Sequence, residues 1–140
     1  MNDVTFRCDC PISSALDLLG DKWTLVIIKQ MLLENRRTFK DFLEADEGIA
    51  TNILSTRLKW LESLDLITKE KLPDNKKVNI YRLTEKGLSS TPIIIELAIW
   101  SDKNLRQLHP ILQESNAMIH TDKQGLIDHL ITNYRKQNLE

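Results

Sequence analysis

The stretch Gly48–Ile67, GIATNILSTRLKWLESLDLI, decides how the rest of the chain reads. Wound at about 100° per residue from Thr51 to Leu64, it gathers Ile53, Leu54, Leu58, Trp60, Leu61 and Leu64 on one broad arc that requires a core. The opposite arc carries Thr51, Asn52, Ser55, Thr56, Lys59, Glu62 and Ser63, so its first two turns hold neutral hydrogen-bonding groups and one cation but no carboxylate. By itself that face fits ordinary solvation as well as a phosphate-lined groove. The flanking segments separate the two readings. Upstream, Thr38–Ala45 has an N-cap candidate in Thr38 and apolar Phe39, Phe42 and Leu43 at helical spacing, and a turn at 46–50 follows. Downstream come a strand at Ile67–Leu72, a polar turn at Pro73–Lys77 and a second strand at Val78–Leu83. Helix, turn, helix and hairpin in this order predict a mainly α fold with a small β-hairpin wing, the winged helix-turn-helix, whose second helix enters the DNA major groove.

At 140 residues the chain suits a single domain with a modest core and leaves little room for a deep catalytic cleft. Residues 12–91 read as the winged core and 92–140 as C-terminal helices for dimerisation. Charged residues at 28% and hydrophobic ones at 41% are the proportions of a soluble globular protein, and no apolar run reaches the roughly 18 residues of a membrane span. The start, MNDVTFRCDC, lacks the apolar centre of a secretion signal, so a cytoplasmic location without membrane contact is expected. A net charge of −1 excludes a protein coated in basic surface, and nucleic-acid binding then has to come from local asymmetry. Between Thr51 and Arg82 there are seven basic residues against four acidic. The two cysteines, Cys8 and Cys10, exclude a disulfide-rich scaffold, and with His109, His120 and His129 far away no tetrahedral metal site is expected. Neither metal nor cofactor is called for.

In chain order, Ser13 is an N-cap candidate for a first helix ending near Leu19, with Gly20 as its left-handed stop. Residues Lys22–Leu33 are apolar nearly all round, as a helix at the centre of a small bundle should be, and Trp23 reads as core. Arg36 and Arg37 fall in an exposed connection, where each meets a phosphate or solvent. Arg57 falls amid the apolar arc and needs an acidic partner, for which Asp41 or Glu44 is the local choice. Asp65 ends the central helix, and the tip Asp74-Asn75-Lys76-Lys77 is a surface turn that in a winged fold reaches minor groove or phosphates. Thr84 is the next N-cap, and Pro92 opens a helix over Ile93–Leu108 whose apolar residues cover more than one face. One face can pack on its own subunit; dimerisation through Ile95, Ile99 and Trp100 accounts for the other. A last helix, Asp122–Gln137, completes the interface or folds back on its own subunit, and His109–Thr121 is the loosest segment.

Together these residues resemble the HxlR family of prokaryotic transcriptional regulators, a winged-helix group related in architecture to the MarR regulators. The resemblance runs from Cys10 to about Trp100. Its motifs are Cys10-Pro11-Ile12, Gly20-Asp21-Lys22-Trp23, Thr38-Phe39-Lys40-Asp41-Phe42, Gly48-Ile49, the run Leu54 to Glu62, Tyr81 to Gly87, and Trp100. Each is short, but in this order they are specific. The chain departs from the pattern at Ala50, where a Ser N-cap is usual and the cap is expected to shift to Thr51, and at Asp65, which replaces Gly. Ile80 stands for a common acidic residue. The resemblance implies a homodimer, held by C-terminal helices and the N-terminal segment, whose recognition helices enter successive major grooves of double-stranded DNA. Half-sites of an inverted-repeat operator would then lie roughly 34 Å apart. Base-edge contacts are expected from Thr51, Asn52, Ser55 and Thr56, with Asn52 suited to bidentate pairing with adenine, and phosphate contacts from Lys59, Lys76 and Lys77. Cys10 resembles the cysteine that in several members senses electrophiles or oxidants. Its place near a helix start favours the thiolate, Asp9 opposes it, and Cys8 is a secondary candidate. A small-molecule or oxidant effector follows from the resemblance.

Two other classes fit less of the chain. A winged-helix protein-interaction module without DNA binding would use the broad apolar C-terminal helices. An enzyme would need a nucleophile triad, metal triad, phosphate loop or paired carboxylates, and none is discernible.

Overall fold

Residues 4–140 are described, in a computed structural model. The chain forms two compact units, the first ending at Gly87 and the second spanning Leu88–Glu140.

The first unit contains α1 (Pro11–Leu19), α2 (Thr24–Glu34), α3 (Phe39–Leu43), α4 (Thr51–Ser63), β1 (Ile67–Leu72) and β2 (Asn75–Leu83). A one-turn α5, Glu85–Leu88, carries the chain onward. The helix-turn-helix is therefore α3–α4 and the wing β1–β2. Its core is drawn from every element after α1: Ile27, Ile28 and Met31 of α2, Phe42 of α3, Leu54, Leu58 and Leu61 of α4, and Ile67 and Leu83 of the hairpin are all buried. Phe42 meets Tyr81 edge to face, with ring centroids 6.2 Å apart.

Local chemistry sets the boundaries, and in several places it differs from the expectation. Pro11 occupies the first turn of α1, so the helix begins with Cys10, not Ser13, at the N-cap. Gly20 follows α1 with φ −83°, which is not left-handed. It is required for space, since a Cβ there would stand 2.4 Å from the Leu16 carbonyl oxygen. Asp21 delays α2 to Thr24 by accepting hydrogen bonds from the backbone N–H of Trp23 (2.8 Å) and Thr24 (2.9 Å) and from the Thr24 hydroxyl. Trp23 is half-buried instead of core, and the Lys22 ammonium lies 5.3 Å from its ring centroid.

The stop after α4 is a Schellman motif: Leu66 N–H donates to Leu61 carbonyl and Asp65 N–H to Glu62 carbonyl, both at 3.0 Å. That geometry puts Asp65 at φ 63°, where glycine would sit without strain. The hairpin is antiparallel, from Ile67 opposite Leu83 to Lys71 opposite Asn79, with an irregularity between Lys71 and Leu72. Its second strand begins at Asn75, three residues earlier than the apolar pattern indicates, because the polar tip residues are themselves paired. Tyr81 N–H donates to the Arg37 carbonyl at 2.7 Å, tying β2 to the segment before α3.

The second unit contains α6 (Thr91–Asn104), α7 (Met118–Thr121) and α8 (Lys123–Asn138). Helix α6 stops at Asn104, four residues short of the expected Leu108. The connector read as loose is tied down at Arg106, which donates to the carbonyls of Leu112 (2.6 Å) and Gln113 (3.0 Å) and pairs with Asp102 (2.5 Å). Asp122 caps α8 through Gly125 N–H. Helix α8 folds back on its own subunit: Leu126 and Ile127 join Ile95 and Ile119 in a buried cluster. Among the described residues no helix is long and apolar enough to cross a membrane.

Candidate DNA-binding face

Helix α4 presents two faces that its sequence order separates cleanly. Leu54 and Leu61 are fully buried, while Thr51, Asn52, Thr56 and Lys59 are exposed and Ser55 is half-buried. Ile53 breaks the expected arc: it is 37% exposed, because in the first turn it lies at the edge of the apolar stripe. The Thr56 hydroxyl donates to the Asn52 carbonyl at 3.0 Å, leaving only its oxygen lone pairs to meet a donor. The Asn52 carboxamide has no such engagement among the described residues. It retains one acceptor and two donors, the pattern that matches an adenine edge.

The start of α4 is unusual. Ala50 is the N-cap, with no side-chain hydrogen bond, so the cap does not pass to Thr51. The first N–H groups of the helix lie in an exposed turn at its positive end, and such groups suit a phosphate oxygen. The turn before it bends through Gly48 at φ 69°. Lys29 of α2 holds this turn: its ammonium lies 2.6 Å from Glu34 and 2.5 Å from Glu47, and Gln30 adds a 2.9 Å hydrogen bond to Glu47. Burial pushes Glu47 upward, but the bonds from Lys29 and Gln30 outweigh it and hold the carboxyl below its ordinary range.

Arg57 does need an acidic partner, and the partner is Asp21, 3.2 Å away at the start of α2, not Asp41 or Glu44 on α3. Arg36 is half-buried instead of exposed. Its guanidinium donates to Glu34 at 2.7 Å and to the Asp41 carbonyl at 2.8 Å, so it braces the loop. Arg37 is also half-buried. In the wing, Lys76 and Lys77 are exposed as expected, and Asn75 shapes the tip by accepting Lys77 N–H at 3.1 Å. The arrangement adds cations that were not singled out: Lys69 and Lys71, two residues apart and exposed on β1, and Lys40 on α3. The period-2 spacing of Lys69 and Lys71 was the available signal.

Cys10 and Cys8 are free thiols, half-buried and exposed respectively. At the N-cap of α1, the Cys10 thiol is held below its ordinary pKa by the nearby Ser13 N–H and hydroxyl and the Ile12 N–H, although its side chain makes no capping hydrogen bond. The segment is braced by Arg7, which pairs with Asp17 at 2.5 Å. On α6, Ile95, expected at a dimer interface, lies in the core of its own unit at 3% exposure. Ile99 packs at the margin of that cluster, and Trp100 is 59% exposed. Ile93 and Leu97 share the exposed face with it, around a groove of about 580 Å³. Among the described residues no group of three or more His, Cys, Asp or Glu could hold a metal ion.

A short α3, an outward polar face on α4 and a two-stranded wing define a winged helix-turn-helix transcriptional regulator. The chain belongs to the HxlR-like helix-turn-helix family, whose model matches residues 18–109. It is 35% identical over 95 residues to the HTH-type transcriptional regulator YodB of Bacillus subtilis, covering 67% of this chain and 84% of YodB. The reduced form of YodB superposes with a TM-score of 0.55 over 69% of this chain and 95% of that one, at 34% identity. YodB has also been solved diamide-treated and quinone-bound. The oxidised form of the redox regulator HypR gives a TM-score of 0.60 at 26% identity, covering 68% of this chain and 97% of HypR. PA1607 gives 0.68 at 25% identity, covering 79% of this chain and 74% of its own.

Proposed function

We propose that the chain acts as a homodimeric, sequence-specific repressor that binds an inverted-repeat operator and is released when Cys10 reacts with an oxidant or electrophile. The observation that carries the reading is the uncommitted Asn52 carboxamide on the exposed face of α4, one turn from Ser55 and Thr56. Thr51, Asn52, Ser55 and Thr56 meet base edges, and Lys59, Lys76 and Lys77 hold phosphates. The uncapped start of α4 adds backbone donors aimed at the same backbone.

Dimerisation is supported by the unpartnered apolar face of α6. An antiparallel pairing of two α6 helices about Ile99–Trp100 would bring Lys103 beside Glu96 of the partner subunit, matching opposite charges at both ends of the contact. Exposed Ile12 and Leu16 on α1 offer a second apolar surface. Sensing is supported by the lowered pKa of Cys10 and by relatives solved in reduced, diamide-treated and quinone-bound forms. Cys8 serves as a secondary thiol.

A mobility-shift titration of the dimer on its own upstream region, at fixed salt, tests the first half. Preference for one fragment over random duplex is expected, and equal affinity for both would remove the reading. Repeating it with diamide tests the second half: release from wild type and retention by Cys10→Ser are expected, and identical responses would eliminate Cys10 as the switch.

A further inference from the structure

Base preference follows from what each side chain on the exposed face of α4 still has to offer. The helix contains one guanidinium, Arg57, which sits at the margin of the buried arc, half-buried and paired with Asp21 at 3.2 Å. The exposed face of the first two turns therefore lacks the bidentate arginine–guanine contact, the commonest specific one. Lys59, in the third turn, lies beyond the N-terminal residues that reach base edges. The hydroxyls of Thr51 and Ser55 donate or accept alike and so discriminate poorly between bases.

Thr56 differs from both. Its hydroxyl hydrogen goes to the Asn52 carbonyl at 3.0 Å, a bond within the helix that binding need not break. The exposed side chain is left with a methyl group and oxygen lone pairs. Guanine presents two acceptors, N7 and O6, which oppose those lone pairs, whereas thymine presents a C5-methyl that a threonine methyl can cover. Asn52 and Thr56 are four residues apart, about 6 Å along the axis, which is under two base-pair steps of about 3.4 Å each.

We infer that Thr56 is a thymine reader: its methyl covers a thymine C5-methyl within two base pairs of the adenine held by Asn52, and guanine is disfavoured at both positions. The role rests on the DNA binding proposed above and adds the chemistry of the half-site, an A·T-read segment beneath the first two turns of α4. The methyl carries the preference, not the hydroxyl.

Selection of duplexes from a random library by the full chain, at one salt concentration, tests it when repeated with Asn52→Ala and Thr56→Ser, both of unchanged Tm. The preference lost in Asn52→Ala should be for adenine, and the one lost in Thr56→Ser for thymine, within two base pairs. Replacing thymines by uracil one at a time should find one in each half-site where wild type loses about fourfold, the scale of one buried methyl, and Thr56→Ser loses nothing. Thr56→Val, which keeps the methyl and lacks the hydroxyl, should retain the thymine preference. Guanine at either position, equal uracil losses in wild type and Thr56→Ser, or loss of the preference in Thr56→Val would each overturn the assignment and leave sequence-specific binding in place. A selection that enriches no sequence would instead remove the regulator reading, and the role of Thr56 with it.

Discussion

The two helices of the helix-turn-helix begin in opposite ways. At α3, Thr38 and Asp41 form a capping box: the Thr38 hydroxyl accepts Asp41 N–H at 3.1 Å, and the Asp41 carboxylate accepts the N–H groups of Thr38 (3.1 Å) and Arg37 (3.0 Å). At α4, Ala50 closes nothing. A five-residue helix has few internal bonds and needs its end sealed by the chain itself, whereas a 13-residue helix anchored by Leu54, Leu58 and Leu61 can leave its end open. The open end belongs to the helix proposed to meet DNA. Stability and function are thus divided between the two starts.

Breaking the anchor of α4 should have the largest effect. Leu54→Ala removes a fully buried side chain and should cost about 2–5 kcal/mol by denaturant unfolding, abolishing DNA binding through loss of fold. The caps come next and carry opposite signs. Thr38→Ala should destabilise by about 1 kcal/mol, while Ala50→Ser should stabilise by up to about 1 kcal/mol, because of these two helices α3 is capped and α4 is not. An equal response at both positions would end the contrast.

Acid should then loosen the start of α3. Burial pushes Asp41 upward, but hydrogen bonds from Arg37 and Thr38 and the Arg36 charge outweigh it, so its folded pKa lies below the unfolded one. Its contribution is therefore present above about pH 4 and lost as pH falls through the lowered value. Glu34, Glu47 and Asp21 shift the same way. Tm should drop on acidification below about pH 4, and less steeply in Asp41→Asn, since that variant has already lost the carboxylate at the start of α3. The smallest effect is on the wing. Lys76→Ala should leave Tm unchanged, weaken all duplexes alike and reduce the slope of log affinity against log salt by about one.

The sequence already showed both faces of α4, because a period of 3.6 sorts Leu54, Leu58 and Leu61 from Asn52, Thr56 and Lys59 without outside help. The capping box was half visible, in Thr38. What stayed hidden were choices among equivalent neighbours. Arg57 pairs with Asp21, 36 positions away, and local spacing could offer only Asp41 and Glu44. Arg36 pairs with Glu34 and the Asp41 carbonyl, a loop geometry that no periodicity encodes. On α6 the apolar residues run round the helix, so only packing against α8 reveals that Ile95 faces inward and Trp100 outward.

The most direct measurement is the ratio of operator to random-duplex affinity, at one salt concentration, for wild type and Asn52→Ala. Wild type should favour the operator by at least about a thousandfold. Asn52→Ala, with unchanged Tm, should lose roughly 5- to 150-fold of that ratio, the worth of one bidentate base contact. No preference in wild type, or an undiminished ratio in the variant, would contradict the assignment of the exposed face of α4 to base recognition.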